Sequence, residues 1–315
     1  MSESPELSIL VISYNTSELT LECLRSVHQA THETHFELIV VDNASSDGSA
    51  EAIRKEFRAL KLISLDENIG FGRGNNLAAE HAGGEFLLLL NPDTVVLDGA
   101  IDELVRFAHE RPQCGIWGGR TLFADRSLNP GSCWRGMSLW TLFSRAVGLL
   151  SLMPRSPLFN AAGYGGWQRD SVREVDTVSG CFLLIRRSLW EELGGFDPAF
   201  FMYGEEADLC LRARKRGARP TITPDAEIIH YGGMSETVPA DKVERLLRAN
   251  VTLAEKHWGS VKLWLGRLLI RLLVAVRALG YGSAALLSGN LKYREKAAIW
   301  QQIWTHRHNW LRGYR

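Results

Sequence analysis

The 315-residue sequence predicts an α/β protein organised on a mainly parallel, doubly wound sheet flanked by helices. Three observations carry that expectation. Short apolar runs alternate with amphipathic segments along the first 110 residues. One run, Leu87-Leu88-Leu89-Leu90, has no polar face, which is the pattern of a strand covered on both sides. Two strands end in an acid, Asp42 and Asp93, at the carboxyl edge where open α/β sheets take their ligands.

Taken in order, residues 7–13 read as the first strand, ending in Tyr14-Asn15. Asn15 predicts the N-cap of the next helix. Glu18 would complete a capping box, and Leu21, Leu24 and Val27 give the helix an apolar face. Residues 36–41 are the second strand, closed by Asp42-Asn43-Ala44-Ser45-Ser46-Asp47-Gly48, and residues 50–60 the second helix. Residues 62–65 form a short third strand. Residues 68–76 read as a glycine loop before a helix that runs to His81. The loop is similar to a dinucleotide-binding fingerprint, but it follows the third strand and its third glycine, Gly74, is displaced. That reading is therefore rejected, and the glycines serve close approach of backbone to a ligand. The leucine run meets Pro92, which cannot continue a ladder. Asp93 just beyond it is either part of a turn or a carboxylate able to hold a hard divalent cation against phosphate.

Residues 101–109 are a further helix, and residues 115–119 open a second half. Residues 124–172 carry Pro130, Pro154, Pro157, a glycine-rich 163–167 segment and an apolar 137–153 segment. Such a stretch serves either substrate binding or a mobile surface insertion. Residues 178–185 are a buried strand entered through Gly180, followed by a 187–193 helix stopped by Gly194-Gly195. An aromatic loop, 196–204, leads to a 205–216 helix with its acids in the first turn and its bases in the last. Asp208 and Arg212 stand at i, i+4 there, so Asp208 either pairs within the helix or does chemistry. A final strand carries a lone histidine, His230, structural or ligating.

Hydrophobic residues make up 45% and charged residues 23%, as in an ordinary folded protein. The formal net charge of zero hides an asymmetry. Residues 256–315 carry eleven Lys/Arg and one acid, Glu295, which leaves 25 bases against 35 acids in the first 255. The tail therefore has its own partner. Five of the ten tryptophans (258, 264, 300, 304, 310) lie in it, and its apolar 263–276 stretch is broken by Arg267, Arg271 and Arg277. These features predict a helix lying on an anionic membrane surface. The competing reading is a helix packed on the rest of the protein or on another subunit; nucleic acid is excluded as a partner because the stretch is too apolar. Five cysteines (23, 114, 133, 181, 210) show no metal spacing and read as reduced thiols of a cytosolic compartment. The polar start, residues 1–6, predicts no signal peptide, and no apolar window of about 18 residues predicts a transmembrane helix.

Several short motifs occur together in order. They are Ser13-Tyr14-Asn15, the 41–49 segment, Asn68-Ile69-Gly70-Phe71-Gly72, Asn91-Pro92-Asp93, Gly194-Gly195-Phe196-Asp197, Tyr203-Gly204-Glu205-Glu206-Ala207-Asp208-Leu209 and His230-Tyr231-Gly232-Gly233-Met234-Ser235. The set spans residues 7–235 and resembles the inverting family-2 glycosyltransferases of GT-A fold. Within them it is most similar to the rhamnosyltransferase group acting on cell-envelope glycans. The resemblance implies a nucleotide-sugar-binding half (1–120) and an acceptor and catalytic half (121–240), and the tail's own charge and aromatic content adds a basic helical, membrane-associating extension (241–315). It implies donor contacts at Ser13, Tyr14, Asn15, Asp42, Asn43, Asn68, Gly70, Gly72, Asn75 and Asn91, with Asp42 on the base. Asp93 and His230 would hold Mg²⁺ or Mn²⁺ near the diphosphate, and Gly180, Trp167 and Glu205 would meet the acceptor. The catalytic base falls on Glu206, where the family usually has aspartate, so Asp208 stands as the alternative base.

The activity so implied moves a sugar, L-rhamnose from a dTDP donor, to a glycan or polyprenyl-diphosphate-linked acceptor. The enzyme would be cytoplasmic and peripheral to the inner face of the membrane, with a homo-oligomer as a further option. Glucosyl-, galactosyl- or galactofuranosyl transfer by the same fold competes with that reading. A nucleotidyltransferase is disfavoured because no glycine-rich loop with a following lysine lies near the first strand. A non-catalytic module is disfavoured by the presence of Asp93, Glu206 and His230 together.

Overall fold

The computed structural model describes residues 4–232 and 239–314. Gly233, Met234 and Ser235 of the last motif, and the first three residues of the acidic start, lie outside the described residues. The chain begins β1 (Leu7–Ser13), α1 (Ser17–Ala30), β2 (Phe36–Asp42), α2 (Ser49–Glu56), β3 (Lys61–Ser64), α3 (Phe71–Glu80), β4 (Phe86–Leu90), β5 (Thr94–Val96) and α4 (Ala100–Glu110). It continues with β6 (Ile116–Leu122), β7 (Cys133–Trp134), α5 (Leu139–Ala146), α6 (Leu149–Leu152), β8 (Arg173–Glu174), β9 (Thr177–Val178), β10 (Phe182–Arg186) and α7 (Arg187–Leu193). It closes with α8 (Glu205–Lys215), β11 (Thr221–His230), α9 (Pro239–His257), α10 (Ser260–Ser288), α11 (Leu291–Thr305) and α12 (Arg307–Trp310). Two compact units result, one of residues 1–134, 168–201 and 205–235, the other of 135–167, 202–204 and 236–315.

The first unit is built on a nine-stranded sheet of order β3-β2-β1-β4-β10-β6-β11-β5, with β8 beside β11. The strands β3, β2, β1 and β4 run parallel. β10 lies antiparallel between β4 and β6, and β11 follows parallel to β6, so most strands share one direction. All five residues of β4 are buried, as its leucine run requires. One face is sealed by Leu24 and Val27 of α1 and Ile101 and Leu104 of α4, which pack with Val11, Leu88, Leu90 and Leu184.

Three local details differ from the sequence expectation. Asn15 does not cap α1. It takes a left-handed φ of 52° and accepts from Ser46 N at 2.8 Å, so the side chain links two loops, and α1 starts behind Thr16 without a side-chain cap. Residues 71–76 are helix rather than loop, because α3 begins at Phe71. Gly74 is needed there for contact: a Cβ would stand 3.0 Å from Ile12 Cγ2 of β1. The strand expected through 178–185 is two pieces, β9 and β10, separated by Ser179-Gly180-Cys181.

The second unit is helical. Leu142 and Ala146 of α5 share a core with Leu247 and Val251 of α9, Ile270, Leu273 and Val274 of α10, Ile303 and Trp310. Gly266 allows α10 to pass Trp258, where a Cβ would come within 2.5 Å of the indole. No described helix is long and apolar enough to cross a membrane.

Candidate active site

The site lies at the carboxyl ends of the parallel strands. β4 delivers Asn91-Pro92-Asp93, and the turn is anchored on every side. Asn91 N donates to Cys181 O at 3.2 Å, Thr94 Oγ1 donates to Asn91 O at 2.7 Å, and Tyr231 N donates to Asp93 O at 3.0 Å. β5 then pairs antiparallel with β11, setting Thr94 opposite His230. As a result His230 Nε2 stands 3.3 Å from Asp93 Oδ1 and 3.4 Å from Asn91 Nδ2. Burial opposes a charge on His230, but the Cys181 sulfur and the Asp93 carboxylate outweigh it and hold its pKa up at about 10. Asn91 Oδ1 is buried without a hydrogen-bond partner.

This set fits a hard divalent cation once a bound cation displaces the His230 proton: one carboxylate, one imidazole and an unsatisfied amide oxygen nearby. No group of three His, Cys, Asp or Glu side chains gathers among the described residues, so most of the coordination would come from ligand oxygens and water, as is usual for Mg²⁺.

At the end of β2, Asp42 is buried; its Oδ2 accepts from Ser45 N at 3.2 Å while Oδ1 has no partner. A buried acceptor left open in this way calls for an N–H donor. The surrounding loops are tied together by asparagines. Asn43 Nδ2 donates to Asn68 Oδ1 at 2.9 Å, and Asn43 Oδ1 accepts from Ile69 N at 2.9 Å. Gly70, at φ 87° and ψ 168°, turns the chain into α3. That region is open essentially to glycine alone, and Phe71 N then donates to Phe201 O at 3.1 Å. Asn76, which sequence reasoning missed, clamps the same loop, accepting from Phe196 N at 2.9 Å and donating to Phe196 O at 2.8 Å.

Several of the other expected contacts also make bonds or packing contacts within the protein. Ser13 is buried with its Oγ 3.0 Å from Thr20 Oγ1, so it faces α1. Asn75 is buried and donates to Phe71 O within its own helix, and Gly72 is part of that helix. Gly180 is buried against the Phe71 ring, which a Cβ would meet at 3.3 Å. Trp167 belongs to the second unit, where it packs edge-on to Tyr164 at 5.8 Å. Tyr14 is partly exposed beside Asn15 at the end of β1. In α8, Glu205 is buried and Glu206 half-buried in the first turn. Asp208 is wholly buried and accepts from Arg212 Nε at 2.6 Å. The same guanidinium donates to Leu193 O and Gly195 O, each at 2.9 Å, so Asp208 orients an arginine that ties α8 to the end of α7.

The family profile makes this chain a glycosyltransferase. Residues 8–194, more than half of the chain, match the glycosyl transferase family 2 profile, and the protein belongs to that family. It is 28% identical over 266 residues to the N-acetylglucosaminyl-diphospho-decaprenol L-rhamnosyltransferase of Mycobacterium tuberculosis, covering 80% of this chain and 85% of that protein. It is 29% identical over 246 residues to the O-antigen biosynthesis protein RfbC of Myxococcus xanthus, covering 75% of this chain but 18% of that longer protein. The mannosyltransferase PcManGT from Pyrobaculum calidifontis, solved with GDP-Man and Mn²⁺, shares the fold. Its TM-score is 0.58 at 17% identity, over 96% of this chain and 86% of that one.

Proposed function

We propose that this enzyme is an inverting, metal-dependent glycosyltransferase that moves L-rhamnose from a dTDP-linked donor to a lipid-linked glycan acceptor during cell-envelope polysaccharide synthesis. The observation that carries the reading is the convergence of Asp93 and His230, 3.3 Å apart. The names of the mycobacterial and Myxococcus relatives support the sugar and the acceptor class.

Residues 1–120 bind the donor in this reading, 121–240 supply the acceptor and catalytic side, and 241–315 meet an anionic membrane surface. Asp42 Oδ1 accepts the imide N–H of a pyrimidine base, the one donor such a base offers on that edge. The Asn43–Asn68 web and Gly70 keep that loop in place. Asp93 and His230, with Asn91 beside them, hold Mg²⁺ or Mn²⁺, which when bound offsets the negative charge building on the departing diphosphate. Glu206 accepts the proton of the attacking acceptor hydroxyl. Asp208 serves position rather than proton transfer, because Arg212 already engages it inside the protein.

The test is a panel of nucleotide sugars scored for diphosphate release, with and without a polyprenyl-diphosphate-linked acceptor. A dTDP-rhamnose signal that needs the acceptor, disappears in EDTA, returns with Mg²⁺ or Mn²⁺ and is abolished in a folded Asp93→Ala variant is expected. Full activity in EDTA would remove the cation from the mechanism, and preference for a hexose donor would replace rhamnose.

A further inference from the structure

The long helix α10 has two apolar faces, and the helical core covers one of them. At about 100° per residue, Gly266, Ile270, Leu273 and Val274 fall on one side, where they join that core. On the opposite side Val261, Trp264, Leu268, Leu272, Leu279 and Leu286 form a stripe along the whole helix. These side chains are exposed; Trp264 reaches 65%, Leu279 72% and Leu286 88%. An apolar stripe about 38 Å long (at 1.5 Å per residue) on the outside of a folded protein marks a binding surface.

The charges say what it binds. Two of the three arginines in the helix turn inward: Arg267 pairs with Glu255, and Arg277 lies 5.4 Å over Trp300 and donates to Arg145 O at 3.4 Å. The tryptophans do likewise, Trp310 being fully buried and Trp258, Trp300 and Trp304 packed at the core. What remains outside is more selective than the sequence suggests. Arg271 is exposed on one border of the stripe, and Lys292 and Arg294 are exposed beyond its end at the start of α11, whereas Lys262 lies 4.4 Å over the Trp258 ring near the covered face. Glu295 is the one acid in residues 256–315. An apolar stripe bordered by cations fits an anionic phospholipid surface, with acyl chains under the leucines and headgroups beside Arg271, Lys292 and Arg294. The buried opposite face prevents the helix from inserting across a bilayer, so it lies flat.

We infer that the Val261–Leu286 stripe of α10 is the membrane-docking face of this protein, and that Arg271, with Lys292 and Arg294 beyond its end, sets its preference for anionic lipid. The inference rests on the proposed membrane-bound acceptor, but it can fail separately from it. Removing residues 256–315 would expose the helical core, so the test uses the full chain. Wild type and a Leu268→Glu/Leu279→Glu double variant are co-sedimented with vesicles of phosphatidylglycerol and of phosphatidylcholine. Wild type should favour phosphatidylglycerol and lose binding in high salt. The double variant should bind at least about tenfold more weakly, since each leucine loses its apolar burial. Arg271→Gln/Lys292→Gln/Arg294→Gln should abolish the lipid preference while leaving residual binding. All variants should keep the wild-type melting temperature and full transfer to a detergent-solubilised lipid-linked acceptor. Equal vesicle binding by wild type and the leucine variant would overturn the inference. So would a wild-type dimer that the leucine variant converts to monomer, because the stripe would then face a second copy. Absence of transfer to that solubilised acceptor in the wild type and every variant, with the vesicle results as expected, would instead sink the catalytic reading alone.

Discussion

Replacing Arg212 by methionine would strand a carboxylate inside the protein. Asp208 is wholly buried, and the Arg212 guanidinium gives it a 2.6 Å charge-assisted hydrogen bond while donating to Leu193 O and Gly195 O. Breaking a buried pair by removing one partner costs about 3–5 kcal/mol. In a unit of this size each kcal/mol moves Tm by about 2–4 °C, so a fall of about 6–20 °C is expected. Circular dichroism melts of Arg212→Met, Asp208→Asn and the double variant measure it. The double variant should recover part of the loss, because the uncompensated charge is gone. Glu206→Gln should behave in the opposite way: its melting temperature should hold while transfer falls about 10²–10⁴-fold, with donor affinity kept. An Arg212→Met protein melting like the wild type would refute the structural role of the pair. An Asp208→Asn protein that is inactive at the wild-type melting temperature, beside an active Glu206→Gln, would move the base two residues along α8.

Gly70→Ala should weaken donor binding. The new Cβ would stand 2.4 Å from Phe201 O, and the φ and ψ at that position strain any residue with a side chain by about 1–3 kcal/mol. Calorimetric titration with donor nucleotide, set beside a melt, checks this; wild-type affinity would show that the loop tolerates the change. Asp102 governs stability against acid. Burial favours its neutral form, yet backbone N–H groups of His32, Glu33 and Thr34 outweigh that and hold its pKa below the ordinary value. A lowered folded pKa gives stability that is full above the unfolded value of about 3.9 and is lost as pH falls through the folded one. Asp102→Ala should therefore be less stable than wild type at pH 7, by about 1 kcal/mol after solvent screening, and the two should converge as pH falls below the ordinary aspartate value. A constant gap across that range would contradict the assignment.

The sheet is legible in the sequence because burial alone writes it. Leu87 to Leu90 have no polar face, and Pro92 can do nothing but end the strand. The position of Asp93 follows from those two facts. Its pairing with His230 does not, since Asn91 and His230 are 139 residues apart and meet only because β5 turns back beside β11. The helical end of the glycine segment is hidden because Gly72 and Gly74 look like loop residues until the close contact with Ile12 is known. Asn15 and Asn76 show the same limit. An asparagine near a helix start predicts a cap, whereas these two spend their side chains on loops far away in sequence. In the tail, charge and aromatic content are visible, but only packing reveals that Arg267, Arg277 and four of the tryptophans turn inward.

The edge strand β5 has a consequence for how the enzyme comes into being. Among the described strands it pairs with β11 alone, so the turn that carries Asp93 has its second support only once His230 has arrived. On a ribosome adding about 5–20 residues per second, His230 is made about 7–30 s after Asp93. During that interval β1, β2 and β4 can pair, and the pocket around Asp42 can form, while the Asp93–His230 cradle cannot. In the proposed reading, the base-binding end of the site is thus made before its cation-binding end, which waits until the sheet is closed.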